Sequence, residues 1–516
     1  MENTSYKHID SEKFRFVNRD ERIYDKKFEN KPVGYFKDAW NRFKKSKASV
    51  VAAIIILMII LFSFLCPLFI RSHDAYFMDT YYSKKVSRLS AIRKLNLGIC
   101  DGGISRDLSE KGLERVIGIG MGAEDWQGSG KVSVGQGMKS EYQPVIKYED
   151  NGVNYTARVD QYLEVGFIYR SIMQDELLNI QEYEKKTGQH ILYPLIAENE
   201  YTYDTTDANV WYKTQNGAPV YINSKGETSK IKLSDKETFQ DNYLRDEAGN
   251  PVYYIYTGGG DTTTSQYKIR VLYYNYYQYL YGSTPEYLLG TDSQGYDMAL
   301  RMAGGIKLSL AIAVVVSVIN FIIGAIYGAI EGYYGGTIDL VMERISDILV
   351  DIPFIVCATL FQIHLAKKVG PLVCLLFSYI LTGWIGNASR VRMQFYRFKN
   401  QEYVMAARTL GADDKRIVLK HIFPNTLGTI ITSCALDIPA TISSESMLSY
   451  LGIVNLGSAR ITSIGTLLSE ASGIWTNYPH LMICPALIIS LLMICFNLFG
   501  NGLRDAFNPA LRGNEE

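Results

Sequence analysis

The sequence predicts an α-helical polytopic membrane protein with six spans and an extracellular α+β domain inserted between the first and second. Three observations carry this reading. Apolar runs long enough to cross a hydrocarbon core of about 30 Å lie towards both ends of the 516-residue chain. Between them, from Arg71 to about Leu289, no such run occurs, and this stretch is long enough for a domain of its own. Lys and Arg cluster in segments that one orientation places on a single membrane face. Lys+Arg and Asp+Glu are equal at 53 each, which gives no reason to expect nucleic acid as a partner.

Residues 1–48 form a polar, basic tail ending in Arg42, Lys44, Lys45 and Lys47. The run 49–70 carries no charge before Arg71 and reads as a retained first span, since the tail before it is too long for a cleaved signal peptide. The basic cluster puts the N-terminus in the cytoplasm. In the domain 71–289, Ser105–Val116 and Gln161–Lys186 have helical patterns, the second followed by Gly188. Gln143–Tyr148, Tyr155–Val159, Pro219–Ile222, Val252–Tyr256 and Tyr267–Tyr277 read as strands, with glycine turns such as Gly258-Gly259-Gly260 between them. The tyrosines from Tyr273 to Tyr281 read either as a stacking surface for a ligand or as core and interface residues. Gly128-Ser129-Gly130-Lys131 lacks the earlier Gly and the Ser/Thr of a phosphate loop, so it reads as a glycine turn. No metal-ligand spacing and no catalytic triad stands out. Of seven cysteines only Cys100 lies in this domain, so no internal disulfide can staple it, and reductant should leave its melting temperature unchanged.

The core 290–505 holds the remaining spans, at about 308–330, 345–365, 369–389, 422–447 and 480–501. Asp347, Asp351 and Pro353 interrupt the third. Six crossings return the C-terminal tail 506–516 to the cytoplasm. The same count places 71–289 outside, and the basic connection containing Arg390, Arg392, Arg397 and Arg408 inside.

That connection contains the loop 400–425, which reads as two short helices. Glu402 opens the first, Ala406 and Ala407 let a partner surface approach, and Gly411 stops it in the left-handed cap conformation. Asp413 or Asp414 caps the second and Pro424 marks its end. The loop has the character of a docking piece rather than a catalytic one.

Glu402, Tyr403, Ala406, Ala407, Gly411, Arg416, His421, Pro424 and Asn425 stand in the order EYVxAARxxGAxxxRIxxxHxxPN. This resembles the coupling loop of binding-protein-dependent ABC transporter permeases, in the C-type form of oligopeptide and dipeptide importers. Three further stretches are similar to that family: Pro32–Leu68, LGTDSQGYD at 289–297 with Tyr296 in the usual place of Arg, and the closing NGLRD at 501–505.

The resemblance implies a type I importer permease fold in a bacterial plasma membrane. The chain itself would carry no cofactor, ATP and magnesium being bound by partner subunits. Those partners would be a homologous second permease, two cytoplasmic ABC ATPases and an extracellular substrate-binding lipoprotein. The cargo would be an oligopeptide, with dipeptides or a metal chelate as the alternative. Glu402, Tyr403, Ala406, Ala407, Gly411, Arg416, His421 and Pro424 would meet the ATPase.

Asp437 and Glu445 lie at membrane depth, where a carboxylate is costly unless it faces protein or water. They either line a polar path for the peptide or bond neighbouring helices. A membrane receptor using the external domain as sensor is an alternative class. An ion-coupled carrier would leave the loop 400–425 without a purpose.

Overall fold

The computed structural model describes residues 35–70, 77–93, 98–130, 141–198, 207–216, 218–222, 228–229, 238–259, 265–457 and 462–507. Most of the N-terminal tail, Arg71, Lys131, Gly260, Arg460 and residues 508–516 lie outside them.

Helix α1 (Tyr35–Lys45) is amphipathic, and helix α2 (Lys47–Phe69) is charge-free after its first residue. The apolar face of α1 offers Ala39 and Phe43 to Ala506 and Phe499 near the chain's end, and Phe43 meets Phe499 edge to face at 5.5 Å. Ser49 in α2 donates to the Leu498 carbonyl at 3.1 Å. The first and last membrane helices therefore lie side by side. Outward residues of α2 such as Ile54, Leu57, Met58 and Leu61 stay exposed, as a lipid-facing surface requires.

Among the described residues the polar domain has four antiparallel sheets, two of them made only of two-residue strands and two larger. Strand β1 (Gly103–Leu108) leads into helix α3 (Glu110–Glu124), and β2 (Val145–Asp150) and β3 (Tyr155–Asp160) complete a sheet ordered β1-β3-β2. Strand β4 (Phe167–Met173) precedes helix α4 (Gln174–Thr187), which ends on Gly188 at φ +72°. Strands β5 (Leu192–Tyr193), β6 (Tyr254–Gly258) and β7 (Gln266–Leu272) join β4 around a central β7, and helix α5 (Tyr273–Tyr281) follows.

Three sequence expectations are corrected here. Ser105–Val116 is strand and then helix, because Ser109 is an N-cap whose hydroxyl accepts from Gly112 N. Phe167–Met173 is strand, not helix: Ile168 and Ile172 fit either period, and antiparallel pairing along all of β7 decides the matter. Tyr267–Tyr277 changes from strand to helix at Tyr273, a boundary hidden by aromatic residues on both sides.

Tyr273, Tyr276 and Tyr277 of α5 serve the core, while Tyr281 is exposed. Tyr276 and Tyr277 are buried with Tyr82, Tyr162, Tyr287 and Ile180. A second cluster packs Leu113, Val116, Ile117 and Met121 of α3 against Trp211, Tyr212 and Phe239. Gly122 is what allows this approach, since a Cβ there would lie 2.5 Å from the Trp211 ring nitrogen. All seven cysteines are free thiols.

Glu114 is buried on α3 with one carboxylate oxygen unpartnered among the described residues. Burial pushes its pKa from 4.5 up to about 7; the neighbouring Glu110 charge adds to the rise and the Tyr221 hydroxyl opposes it. A raised carboxylate pKa makes the native state the stronger proton binder. Stability therefore falls as pH rises from 4.5 to about 7, then levels. The full gap corresponds to about 3 kcal/mol at most. Amide exchange across 113–121 in the full chain should show less protection at pH 8 than at pH 5, after correction for intrinsic rates. Glu114→Gln should remove most of that difference; an unchanged difference would discount Glu114 as its source.

Two chain segments join this domain to the bundle and run alongside each other as a neck. Thr291 N donates to the Lys85 carbonyl at 2.9 Å, Lys84 N to the Asp292 carbonyl at 2.8 Å and Asp79 N to the Gly295 carbonyl at 3.1 Å. Gly290 (φ +81°) and Gly295 (φ +98°) are required here, because a Cβ on either would lie about 2 Å from a carbonyl of the facing segment. The Asp292 carboxylate accepts from the amides of Gln294, Gly295 and Tyr296 and pairs with Arg301, which also reaches Glu470 at 2.9 Å. The Arg301 guanidinium that pairs with Asp292 also lies 5.3 Å from the Tyr296 ring centre.

The bundle follows. Helix α6 (Met298–Tyr334) has 37 residues and is capped by Asp297. Helices α7 (Gly336–Val350) and α8 (Phe354–Val369) break at Pro353, bent by 67°. The expected span 345–365 crosses this break: α7 is amphipathic and charged, and α8 alone is apolar. Helices α9 (Pro371–Thr382) and α10 (Ile385–Phe398) form one run through a turn at Gly383-Trp384.

The loop holds α11 (Glu402–Thr409) and α12 (Asp414–Arg416), and α13 (Phe423–Tyr450), α14 (Ile464–Ser472) and α15 (Pro479–Phe507) follow. Sequence reasoning missed α14, whose nine residues are too few to signal a span; it buries Ile464, Leu467 and Ala471 in the bundle core. Among the described residues four helices are long and apolar enough to cross a membrane, or up to six if each bent pair is one span.

Candidate functional site

The loop residues come together at the end of the bundle formed by the C-terminal end of α6 and α10. Helix α11 begins at Glu402 and closes at Leu410. Gly411 follows at φ +82°, and Asp413 precedes α12 in extended geometry without a side-chain cap bond. Pro424 is the corrected element. It lies in the first turn of α13, where a missing N–H costs nothing, and the chain reaches it through a π-helical stretch Ile417–Ile422 rather than a helix end.

One face of this bent lever is anchored. Val404, Ile417 and Ile422 are buried with Ala329 and Tyr333 of α6 and Phe395 of α10. The Tyr333 hydroxyl donates to Asp414, and Arg408 reaches the Tyr333 oxygen at 3.5 Å. Asn425 Nδ2 holds the Tyr403 hydroxyl at 3.3 Å and the His421 carbonyl at 2.7 Å. The other face is open: Leu410 is 88% exposed and Met405 51%. Glu402, Tyr403, Ala406, Gly411, Arg416 and Pro424 are exposed with them, His421 is half-buried, and Ala407 is buried. Leu410, Met405 and Tyr403 together give this face an exposed apolar character.

The lever's support is closely packed. Gly324, Gly328 and Gly332 of α6, spaced by four, lie against α10, where a Cβ on Gly328 would be 2.1 Å from the Ala388 carbonyl oxygen. At the same end Arg392 of α10 grips Asp339 and Glu343 of α7, with contacts from 2.6 to 3.0 Å. Sequence reasoning noted Arg392 only as a charge. Its partners lie on an amphipathic helix that was expected to belong to a connection, while the Gly-x3-Gly-x3-Gly spacing was the signal available for the close approach.

The two intramembrane carboxylates differ. Asp437 accepts from Asn387 at 2.9 Å, lies 3.6 Å from Arg390, and lines a cleft of about 350 Å³ with Asn320, Tyr379, Thr441 and Ser444. Glu445 is 1% exposed and accepts from Ser309 of α6 and Ser449 of its own helix. Ser309 Oγ also accepts from Ile464 N at 3.4 Å, so the Glu445 network ties α13, α6 and α14. This is the helix-bonding one of its two readings.

The Gly128-Ser129-Gly130 turn wraps around Asp125, whose carboxylate accepts from the amides of Ser129 and Gly130 at 2.8 and 2.6 Å. The donors a phosphate would need are taken by a side chain of the same domain.

Fold and site together define a helical membrane protein with a bent lever, anchored on one face and exposed on the other, at one end of its bundle. The family described as binding-protein-dependent transport system inner membrane component matches residues 324–513, and the N-terminal TM domain of oligopeptide transport permease C matches 34–87. The oligopeptide transport system permease protein OppC of Bacillus subtilis is 40% identical over 228 residues, 44% of this chain and 73% of that protein. OppC of Escherichia coli K12 is 40% identical over 222 residues, 43% of this chain and 71% of that protein. The dipeptide permease DppC of Lactococcus lactis is 36% identical over 225 residues, 43% of this chain and 64% of that protein. A solved structure of the MetNI methionine ABC transporter covers 41% of this chain and 98% of its own at 17% identity, with a TM-score of 0.34, too low to carry an argument.

The chain belongs to the oligopeptide and dipeptide permeases of binding-protein-dependent ABC importers. Permeases of this kind have no ATPase site of their own, and separate subunits hydrolyse ATP.

Proposed function

We propose that this chain forms one half of the membrane channel of an ATP-driven importer of short peptides in a bacterial plasma membrane. The observation that carries the proposal is the lever of α11 and α12, anchored on one side and apolar and exposed on the other. The exposed side receives one of two cytoplasmic ATPases, with Glu402, Tyr403, Ala406, Gly411 and Arg416 at the contact. The anchored side passes the ATPase movement to α6, α10 and α13. A second, homologous permease completes the channel, and a substrate-binding lipoprotein delivers the peptide from outside.

In this orientation both termini are cytoplasmic, six spans cross the bilayer, and the polar domain is extracellular. The packed helix ends bearing the lever are the element with two arrangements, since ATP-driven closure must favour one of them to move anything. Asp437 lines the peptide's route, and Glu445 holds the helices around it. Reconstituted with the co-purifying subunits, the complex should take up labelled oligopeptide into inside-out-corrected vesicles only with ATP. Uptake driven by a proton gradient alone, or purification without any ATPase, would remove the proposal.

A further inference from the structure

A cleft of about 370 Å³ opens in the polar domain between β1, α3 and the turn after β3. Arg106, Arg115 and Glu164 provide its charged wall, and Leu108, Val116 and Ile119 its apolar one. The charges are arranged in balanced pairs: Arg106 with Glu164, and Arg115 with Asp207. Arg106 Nε–H is buried and without a partner among the described residues, a donor left unsatisfied in the wall. Asn209, also in the lining, is committed to the backbone, accepting from Phe167 N at 2.7 Å and donating to the Val165 carbonyl at 3.3 Å, so the floor is fixed.

A site of this kind suits one class of ligand. Its lining carries two arginines and one glutamate, and with Asp207 paired to Arg115 just outside it the group is neutral overall while offering full charges of both signs, which matches a zwitterion better than a simple anion or cation. The volume lies within the range of small-molecule sites, and the apolar wall leaves room for short side chains. We propose that this cleft binds a short zwitterionic peptide, the carboxylate taken by Arg115 and Arg106 and the ammonium by Glu164. Arginine suits the first task through its planar, two-pronged donor geometry.

The position gives such binding a route to the bundle. Glu164 belongs to the same turn as Gln161 and Tyr162, which hold Val86 of the neck: Val86 N donates to Gln161 Oε1 at 3.0 Å and the Tyr162 hydroxyl donates to the Val86 carbonyl at 2.9 Å.

The test uses the full chain in nanodiscs and dialanine as probe, with N-acetyl-dialanine and dialanine amide as the arms lacking one charge each. Calorimetry should show saturable dialanine binding, with either blocked form weakened at least about tenfold. Arg115→Gln and Glu164→Gln should each weaken dialanine by a similar factor, while Glu182→Gln, at an exposed position of α4 outside the cleft lining, should not. Amide exchange across α3 without ligand establishes that the variants are folded, and dialanine should slow exchange in 106–119 of the parent chain. No saturable binding up to about 10 mM, equal binding of the blocked forms, or binding that survives both variants would each overturn the assignment.

Discussion

Leu410→Asp is expected to abolish ATP-driven uptake while leaving the chain folded and in the membrane. Leu410 touches almost nothing in this chain, being 88% exposed, so the substitution removes no internal contact. At a partner's surface the sign reverses. Burying a leucine there contributes about 1.5–3 kcal/mol, and a buried unpaired carboxylate opposes binding further. The ATPase should bind at least about tenfold more weakly, and ATP hydrolysis should no longer respond to peptide and binding protein. Gly411→Asp should act in the same way. The position is open, with nothing within 4 Å of an added Cβ, and aspartate tolerates φ +82° better than most residues, so lost uptake would report the partner contact and not misfolding. Glu402→Lys should join them, by placing a positive charge at the positive end of α11 on the exposed face. Uptake at the parent rate in all three would refute the docking role.

Gly328→Leu has the second large effect, on assembly of the bundle. A Cβ alone would lie 2.1 Å from the Ala388 carbonyl oxygen, so α6 and α10 must separate to admit any side chain. Separation breaks contacts at Gly324 and Gly332 as well, because the three glycines share one helix face. Overpacking at a single core site typically costs about 1–3 kcal/mol, and a rigid backbone neighbour puts this site at the upper end. The detergent-solubilised chain should melt several degrees lower or fail to accumulate in the membrane. Gly304→Ala, in the same helix but with nothing within 4 Å, should be neutral or slightly stabilising. Equal behaviour of the two variants, read by fluorescence-detected thermal unfolding, would show that the glycine face does not hold these helices.

The sequence disclosed the parts whose signals are local. Glu402, Gly411 and Gly188 mark helix ends by their own chemistry, and the apolar runs show themselves by length alone. What escaped was decided by distant partners. Phe167–Met173 has apolar spacing compatible with a helix and becomes a strand because β7 pairs along its length. Pro424 looked like a stop and is a start, because a π-helical stretch carries the chain into α13 without a break at that point. Helix α14, the grip of Arg392 on α7 and the Arg301–Asp292–Glu470 cluster depend on elements far apart in the chain. Eight loop residues were named from sequence; that Ala407 is buried, and that the unnamed Leu410 and Met405 are among the most exposed apolar residues of the loop, required the fold.

The most direct test is a single cysteine at position 410 in a cysteine-free chain, probed with a membrane-impermeant maleimide in oriented vesicles. The account predicts labelling only from the cytoplasmic side, blocked when the ATPase subunits are present, with a bifunctional reagent then joining residue 410 to an ATPase. Labelling from the outside, or full reactivity in the assembled complex, would contradict it.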